Sequence, residues 1–408
     1  MSYDKIAARL DSYRNAMIDL QIKLTAIPAV SPSSGGEGEA KKAEFLLGFL
    51  KENGFQDIEV INAPDPDAPS GRRPNILAYY RGRSAAKTIW IMSHMDVVPP
   101  GEATLWRGDP YKAWIEGGKI YGRGVEDNQQ ALVGSIFAVK AFQAEGIKPA
   151  YDVGLALVAD EETGSDKGIG YVLQHSKAFR PGDLIVVPDA GNEDGTLIEV
   201  AEKSILWLKF KVLGKQTHGS MPEKGINAFK AASFYITELD KLYTIYPQSN
   251  PLFDPPISTF EPTKKEANVP NVNTIPGEDV FCTDMRILPA YTIDEVLAKV
   301  KDIGRGIEQK FGVTISWEVL QSAPAAPPTD SSAPVVKALE RAVRLVYGVE
   351  GKAMGIGGGT VAALFRHAGI PAACWARLDE TAHQPNEYCI IDNMVGDAKV
   401  FAHIMLQD

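Results

Sequence analysis

The stretch TIWIMSHMD, residues 88–96, decides the fold of this chain. Its first seven residues are almost continuously apolar, which predicts a strand buried on both faces of a sheet. Two similar runs follow, GLALVADEE at 154–162 and GDLIVVPDAG at 182–191, and both lead into acidic residues. Between the first two runs, apolar residues recur at helical spacing over 132–142. This alternation predicts the α/β class, with a largely parallel sheet flanked by helices on both faces.

A different pattern begins near residue 200. In WLKFKV, residues 207–212, apolar and more polar positions alternate, as in a strand with one solvent-exposed face. The elements that follow have the order β-α-β-β-α-β, which is that of a ferredoxin-like α+β unit. Thr292 and Glu295 form a capping-box signature for its second helix. The first helix is predicted to bury one face, formed by Phe229, Ile236, Leu239 and Tyr243.

The chain is therefore expected to fold as two domains. Its 408 residues are enough for two hydrophobic cores. A catalytic domain is predicted for 1–200 and 321–408, with the ferredoxin-like unit inserted at 201–320. The Ala/Pro-rich stretch SAPAAPPTD at 322–330 is the predicted return linker.

The amino-acid composition argues against several classes of partner and location. The chain carries a formal net charge of −10. Nucleic acids and anionic membranes need a basic surface, so neither is expected as a partner. The three cysteines show no metal-binding spacing, which favours a reducing compartment. Because neither a secretory signal nor an apolar stretch of about 18 residues is found, a cytoplasmic protein without a membrane span is expected.

Histidines and carboxylates follow the predicted buried strands. The clusters that they form are Ser93–Asp96, Gly122–Asn128, Asp160–Glu162, Asp189 and His383. Taken singly, each has an ordinary explanation: Asp127 can cap the next helix, and a lone His383 is more often structural. Together they fall at strand ends, where sites in parallel sheets collect. Mixed histidine and carboxylate sets suit zinc, and also manganese or cobalt.

Five motifs resemble those of a known family, in the same order and with similar gaps. They are SHMDVVP at 93–99, GRGVEDN at 122–128, ADEETGS at 159–165, PDAG at 188–191 and AHQPNE at 382–387. The family is that of the zinc hydrolases aminoacylase, acetylornithine deacetylase, succinyl-diaminopimelate desuccinylase and glutamate carboxypeptidase. The resemblance covers essentially the whole chain, including the inserted domain.

The resemblance implies a site with two zinc ions, which Co²⁺ or Mn²⁺ could replace. It makes His94 and Asp189 ligands of one ion, Glu162 and His383 ligands of the other, and Asp127 the bridge between them. Asp96 would be the partner of His94, and Glu161 the general base. The implied reaction is hydrolysis of an amide bond by a metal-activated water.

The resemblance also assigns roles in the inserted domain. His218 would stabilise the oxyanion and, as in dimeric members, would reach the site of a partner subunit, which predicts a homodimer through this domain. Asn273 and Arg286 would bind a substrate carboxylate, although Arg286 can also be a surface cation paired with Asp284. Gly358, Gly359 and Thr360 resemble a substrate-binding loop.

Two departures leave the substrate open. Asn128–Gln130 replaces the Met-Lys-Gly of many relatives, and Asp189 stands where the deacylases usually have glutamate. The aspartate favours peptides, whereas the small inserted domain favours N-acyl amino acids. The leading hypothesis is a hydrolase of a small N-acyl amino acid or a short peptide with a free carboxylate. The alternatives are a dipeptidase, with Glu126 or Asp160 binding the amino group, and a catalytically silent metal- or ligand-binding homologue.

Overall fold

The computed structural model describes residues 2–407. Its strands are β1 Asp57–Pro64, β2 Arg72–Tyr80, β3 Ser84–His94, β4 Trp114–Glu116, β5 Lys119–Tyr121, β6 Tyr151–Val158, β7 Leu184–Asn192, β8 Leu197–Glu202, β9 Ser204–Leu213, β10 Thr217–His218, β11 Thr259–Lys265, β12 Thr274–Ile275, β13 Glu278–Ile287, β14 Thr314–Ala323, β15 Lys352–Ile356, β16 Ala372–Arg377 and β17 Tyr388–Ile390. Its helices are α1 Ser2–Ser12, α2 Arg14–Thr25, α3 Ala40–Glu52, α4 Gln129–Glu145, α5 Ile169–His175, α6 Ala228–Leu239, α7 Lys241–Ile245, α8 Ile293–Phe311, α9 Pro334–Tyr347, α10 Ala362–His367 and α11 Ile391–Met405. Among residues 2–407, no helix has the length and apolar character that crossing a membrane requires.

The chain divides into two compact units. The first consists of Met1–Val200, Pro328–Met354 and Thr360–Asp408, and the second of Ala201–Pro327 and Gly355–Gly359. The boundary predicted at residue 320 falls inside β14, which continues to Ala323.

An eight-stranded sheet has the order β1-β2-β6-β3-β7-β16-β8-β15. Its four central strands, β6, β3, β7 and β16, are parallel, and antiparallel neighbours flank them on both sides. The predicted apolar run lies in β3, where Thr88–His94 is buried. Trp90 packs there against Phe179 with ring centroids 4.5 Å apart. The α/β class with a mostly parallel sheet is thus confirmed.

Near the N-terminus, Tyr13 lies between α1 and α2. The Tyr13 ring packs edge-on against Phe137 of α4 at 5.4 Å between centroids, and the Ser12 hydroxyl donates to the carbonyl of Arg9. The backbone of Tyr13 remains in the α-helical region, and its N–H donates to the carbonyl of Arg9 at 3.1 Å, so α2 follows α1 closely.

In the second unit, four antiparallel strands have the order β11-β13-β9-β14. Helices α6 and α8 pack with them into one core, in which Phe210 stacks on Phe281 at 4.8 Å. Along the chain these elements have the order predicted from the sequence, and the capping box of Thr292 and Glu295 is present.

The buried face of α6 differs from the predicted one. Ala228, Ala231, Ala232, Tyr235 and Leu239 are buried, whereas Phe229 is exposed. The Lys265 ammonium lies 4.8 Å from the centre of the Phe229 ring. The buried face of α6 is therefore formed mainly by small alanines, and the Phe229 ring lies outside the core beside Lys265.

Asp397 of α11 links this helix to the start of α4. Its buried carboxylate accepts hydrogen bonds from Gln130 Nε2 at 2.7 Å and from the Tyr347 hydroxyl at 2.8 Å. Burial raises the pKa of Asp397 to about 7, although these hydrogen bonds oppose the shift.

Replacing Asp397 with asparagine is expected to flatten the pH dependence of stability. Between about pH 4 and pH 7 the folded chain retains a proton that the unfolded chain has lost. The stability contributed by this proton is complete below about pH 4 and is lost as the pH rises through 7, by on the order of 4 kcal/mol. Between pH 5 and pH 8, the melting temperature of the variant should therefore rise relative to that of the wild type. A constant difference between the two would contradict this account.

Candidate metal centre

The ring of His94, the last residue of β3, points into a group of carboxylates. Its Nε2 lies 2.8 Å from Asp127 Oδ1 and 3.5 Å from Asp189 Oδ1. On the other side, Nδ1 lies 3.0 Å from the backbone carbonyl of Asp96, an arrangement that places the proton on Nδ1. Both His94 and Asp96 are buried. Nε2 is therefore the ring nitrogen that faces the carboxylates, and after loss of its proton it can bind a metal ion beside them.

The carboxylate of Asp96 contacts more than the predicted histidine. Its Oδ1 is 3.5 Å from His94 Nδ1, farther than the backbone carbonyl of the same residue. Its two oxygens accept the backbone N–H groups of Glu161 at 3.1 Å and Glu162 at 3.0 Å. The end of β3 thereby anchors the acidic turn that follows β6.

Asp127 lies between two histidines. Its Oδ1 is 2.8 Å from His94 Nε2, and its Oδ2 is 3.2 Å from His383 Nε2. The loop leading to it passes through Gly124 at φ +86°, where an added Cβ would lie 2.5 Å from a methyl of Val97. Glycine is required there because both the backbone conformation and the space exclude a side chain.

The remaining predicted ligands converge on the same place. Glu162 Oε2 lies 2.9 Å from His383 Nε2. Asp189 lies inside β7 rather than after it, and its Oδ1 accepts a hydrogen bond from Asn128 Nδ2 at 2.6 Å. Asn128, one of the departures noted in the sequence, thus orients Asp189.

Two overlapping groups have donor atoms within 4.8 Å of one another. They are His94, Glu161 and Asp189, and His94, Asp127 and Glu162. With His383, which lies 2.9 Å from Glu162 and 3.2 Å from Asp127, the structure brings together six side chains that the sequence singled out. Nitrogen and carboxylate oxygen donors in such sets are suited to zinc, cobalt or manganese.

The histidines carry raised pKa values. Burial would lower the pKa of His94, but the carboxylates of Asp189 and Asp127 raise it well above its usual range. Hydrogen bonds to Asp127 and then Glu162 raise the pKa of His383 to about 10. Both rings respond to the surplus of negative charge around them.

The acids show the complementary effect. Burial raises the pKa of Glu161 well above its usual range, and the neighbouring Asp189 adds to the shift. Burial also raises the pKa of Glu162. The cluster thus holds more carboxylates than its own histidines can balance, which is the electrostatic condition that bound divalent cations relieve.

Glu126 and Asp160, the two acids considered as amino-group ligands, are engaged within the chain. Glu126 accepts hydrogen bonds from the backbone N–H of Asp379 at 2.8 Å and the hydroxyl of Thr381 at 2.8 Å. Asp160 accepts from the Thr163 hydroxyl at 2.6 Å and pairs with Arg73 Nη1 at 3.1 Å. Both side chains therefore hold loops together.

Sequence reasoning missed two buried supports of the cluster. Arg73 pairs with Glu39 and Asp160, and nothing in the sequence RRPN distinguishes it from exposed Arg72. Glu387 accepts the backbone N–H groups of Glu126 and Asp127 at 2.9 and 3.1 Å. Glu387 belongs to the AHQPNE motif, so its position four residues after His383 could have indicated that it supports the cluster.

His218 and Asn273 lie together in the second unit. β10, which ends at His218, pairs with β12, and the Gly219 N–H donates to the carbonyl of Asn273 at 2.7 Å. The His218 Nδ1 is 2.8 Å from the Ser220 hydroxyl. Both predicted side chains are exposed.

Arg286 pairs with Asp284, which was the alternative to its predicted binding of a substrate carboxylate. Its Nε and Nη2 donate to Asp284 at 2.6 and 2.9 Å, and its Nη1 donates to the carbonyl of Gly357 at 2.8 Å.

The predicted substrate loop follows Gly357. Gly358 and Gly359 have room for a Cβ, so packing does not explain why these positions are glycine. The Thr360 hydroxyl accepts from the Ala362 N–H at 3.3 Å, at the start of α10.

The fold and this donor set define a metallohydrolase. A sequence model of peptidase family M20/M25/M40 matches residues 90–407, and the chain belongs to this family. Its homologues act on amide and peptide bonds, so the chain is a metal-dependent hydrolase of C–N bonds. The family resemblance noted in the motifs is thus confirmed.

Particular relatives cover nearly the whole chain. It is 41% identical over 417 residues to an uncharacterized metallohydrolase of Methanococcus maripaludis, with 97% of this chain and 100% of the relative covered. It is 28% identical over 418 residues to the acetylornithine deacetylase of Dictyostelium discoideum, with 92% and 91% covered. Among solved structures, the dipeptidase Dug1p of Saccharomyces cerevisiae matches with a TM-score of 0.72 at 19% identity, covering 99% of this chain and 98% of that one. At this identity the structural likeness concerns the fold alone.

Proposed function

We propose that this metallohydrolase cleaves the amide bond of an N-acyl amino acid, or of a short peptide with a free carboxylate, using two divalent ions per chain. One observation carries the proposal: Asp127 presents one oxygen to His94 and the other to His383. A carboxylate placed in this way can be shared by two cations. Zinc is the proposed metal, with cobalt or manganese as substitutes.

The proposed ligands fall into two pairs around Asp127. His94 and Asp189 would hold one ion, and Glu162 and His383 the other. Support comes from the distance between Nε2 and the carboxylate oxygen, which is 3.5 Å in the first pair and 2.9 Å in the second. Each pair therefore already places a nitrogen donor beside an oxygen donor.

Glu161 is the proposed general base. Two bound dications would lower the pKa of an attacking water and polarise the scissile carbonyl. The Glu161 carboxylate takes a proton from that water and delivers it to the leaving nitrogen. Asp96 orients this base through its hydrogen bond to the Glu161 N–H. His218 is the proposed donor to the oxyanion of the tetrahedral intermediate.

Recognition of the substrate carboxylate is assigned to Asn273 and Arg286. A guanidinium suits this role because its planar fork matches a carboxylate, although the substrate would compete with Asp284 for it. Gly358, Gly359 and Thr360 are proposed to line the substrate. Close approach of a ligand to the backbone supplies a reason for the two glycines that packing does not.

A dipeptidase is the second candidate, because aspartate rather than glutamate occupies position 189. That activity needs a group that binds the free amino terminus. Glu126 is hydrogen-bonded to the loop of Asp379 and Thr381, and Asp160 is hydrogen-bonded within its own turn. A homologue that binds metal without turnover is the third candidate.

Metal content coupled to amide hydrolysis tests the proposal. About two zinc ions per chain are expected by elemental analysis, and a chelator should abolish hydrolysis that added zinc restores. The substrate panel would contain N-acetyl and N-succinyl amino acids beside dipeptides with free and acylated amino termini. Hydrolysis of acylated compounds alone would identify a deacylase, and preference for free dipeptides a dipeptidase. Activity in metal-free protein would overturn the proposal.

A homodimer through 201–320 is proposed as well, because His218 is exposed on the surface of this segment. His218→Ala should then lower kcat by a larger factor than it lowers the metal content. Sedimentation equilibrium would test the association directly, and a fully active monomer would contradict it.

A further inference from the structure

Glu126, next to the shared Asp127, is buried and reaches across to another loop. Its Oε1 accepts the Asp379 N–H at 2.8 Å, and its Oε2 accepts both the N–H and the hydroxyl of Thr381. These contacts hold the segment that leads directly to His383. The two loops are more than 250 positions apart in the chain, with separations of 253 and 255 for these bonds.

Glu387 makes the reverse connection. It follows His383 by four positions and is fully buried. Its Oε1 accepts the N–H groups of Glu126 and Asp127, and its Oε2 accepts the Gly124 N–H at 2.9 Å and Arg123 Nη1 at 2.7 Å. Each loop therefore carries a buried glutamate that binds the backbone of the other.

His383 depends on such support more than His94 does. The His383 side chain is 56% exposed, whereas that of His94 is fully buried at the end of β3. Three non-glycine residues of the loop adopt left-handed backbone conformations, Glu380 at φ 56°, His383 at φ 63° and Asn386 at φ 60°. Such conformations persist only where surrounding contacts impose them. Packing around the ring and local backbone preference therefore do not place His383.

We infer that Glu126 and Glu387 form a reciprocal clasp of positioning residues, through which Glu126 places His383 beside Glu162 and so controls the binding of one of the two ions. The inference rests on the proposed two-ion site. Neither glutamate is a ligand in this arrangement, because each uses its carboxylate oxygens on the opposite loop.

The two glutamates should have different effects. The side-chain contacts of Glu126 go to Asp379 and Thr381, so its loss should disturb His383 and spare the pair of His94 and Asp189. Glu387 accepts a hydrogen bond from the N–H of the shared Asp127, so its loss should weaken the binding of both ions. Glutamine is an informative replacement at either position because it keeps the shape but turns one acceptor into a donor that faces an N–H group.

Zinc titration of chelator-treated protein tests the inference, with a chromophoric chelator as competitor. For the wild type we expect two ions to bind. Glu126→Gln should retain one ion at wild-type affinity and bind the other about 10- to 100-fold more weakly, the usual effect of removing a group that orients a ligand. Glu387→Gln should lower the affinity for both ions. Thr381→Val, which removes the hydroxyl contact and keeps the N–H, should weaken the same single ion by a smaller factor, and it serves if Glu126→Gln does not fold.

Asp183→Asn is the matched control. Asp183 is also buried and accepts three hydrogen bonds, from the Thr88 N–H at 2.7 Å, Trp90 Nε1 at 3.2 Å and the Arg180 N–H at 3.0 Å. It directly precedes β7, whereas His94 of the proposed site is the last residue of β3, which runs parallel to β7. This variant should melt at a lower temperature and still bind both zinc ions as the wild type does.

The outcomes separate the two proposals. A wild type that binds fewer than two ions would overturn the two-ion site, and the clasp with it. A wild type that binds two ions, together with Glu126→Gln binding both at unchanged affinity, would overturn the clasp alone. Equal weakening of zinc binding in Glu126→Gln and Asp183→Asn would also overturn it, because a general loss of stability would then account for the effect.

Discussion

Replacement of Glu161 by glutamine is expected to lower kcat by about 10²- to 10⁴-fold while leaving two zinc ions bound. The amide has the shape of the carboxylate but cannot take a proton from the attacking water. The zinc content should not change, because Glu161 is outside the proposed ligand set. Steady-state kinetics on the best substrate of the panel, with zinc measured on the same preparation, would check both parts.

A remote glutamate supplies the control for this experiment. Glu37 is exposed and pairs with Lys41 on the surface, so Glu37→Gln should keep wild-type kcat. Glu161→Gln with more than a tenth of wild-type kcat would exclude Glu161 as the base. Because Glu161 also lies within reach of His94 and Asp189, loss of an ion in this variant would instead make it a ligand.

Replacement of Arg73 by methionine is expected to lower the free energy of unfolding by about 3–5 kcal/mol. Arg73 is buried and binds both oxygens of Glu39, and its Nη1 lies 3.1 Å from Asp160 and 3.4 Å from Asp65. Methionine fills much of the space but leaves three buried carboxylates without this cation. Burial already raises the pKa of Glu39 although Arg73 opposes the shift, so the destabilisation should grow with pH as Glu39 resists ionisation.

Arg72→Met provides the comparison on the same strand. Arg72 is exposed at the start of β2, so its loss should change stability by no more than about 0.5 kcal/mol. Thermal and urea unfolding of both variants, in metal-free protein, would measure the difference. Equal stability of the two variants would show that the buried ion network contributes little. Catalysis should also fall in Arg73→Met, since Asp160 directly precedes the proposed base.

The strand pattern made the fold largely predictable. An apolar run as long as Thr88–His94 has to be buried on both faces, and helices between such runs force parallel pairing. Phe229 shows the limit of this reasoning. Helical periodicity places it with Leu239, but it lies exposed beside Lys265, and Ala228, Ala231 and Ala232 are buried instead.

At the candidate metal centre, the sequence by itself singled out the side chains that the structure brings together. Histidines and acids that follow buried strands are expected at one edge of a parallel sheet, and the resemblance to the family motifs is what singled out His94, Glu162 and His383 among them. Their residue types are the basis for proposing zinc or a similar ion, because imidazole and carboxylate are ligands for such metals.

Only the tertiary structure decided which charged residues hold that centre in place. Arg72 and Arg73 are adjacent and chemically identical, yet one is exposed and the other balances buried carboxylates. Glu126 looked like a spare acid, and its partners on the loop of His383 are more than 250 residues away. Such roles depend on which backbone N–H groups and charges the fold brings within hydrogen-bonding distance. The local sequence does not specify which distant groups these are.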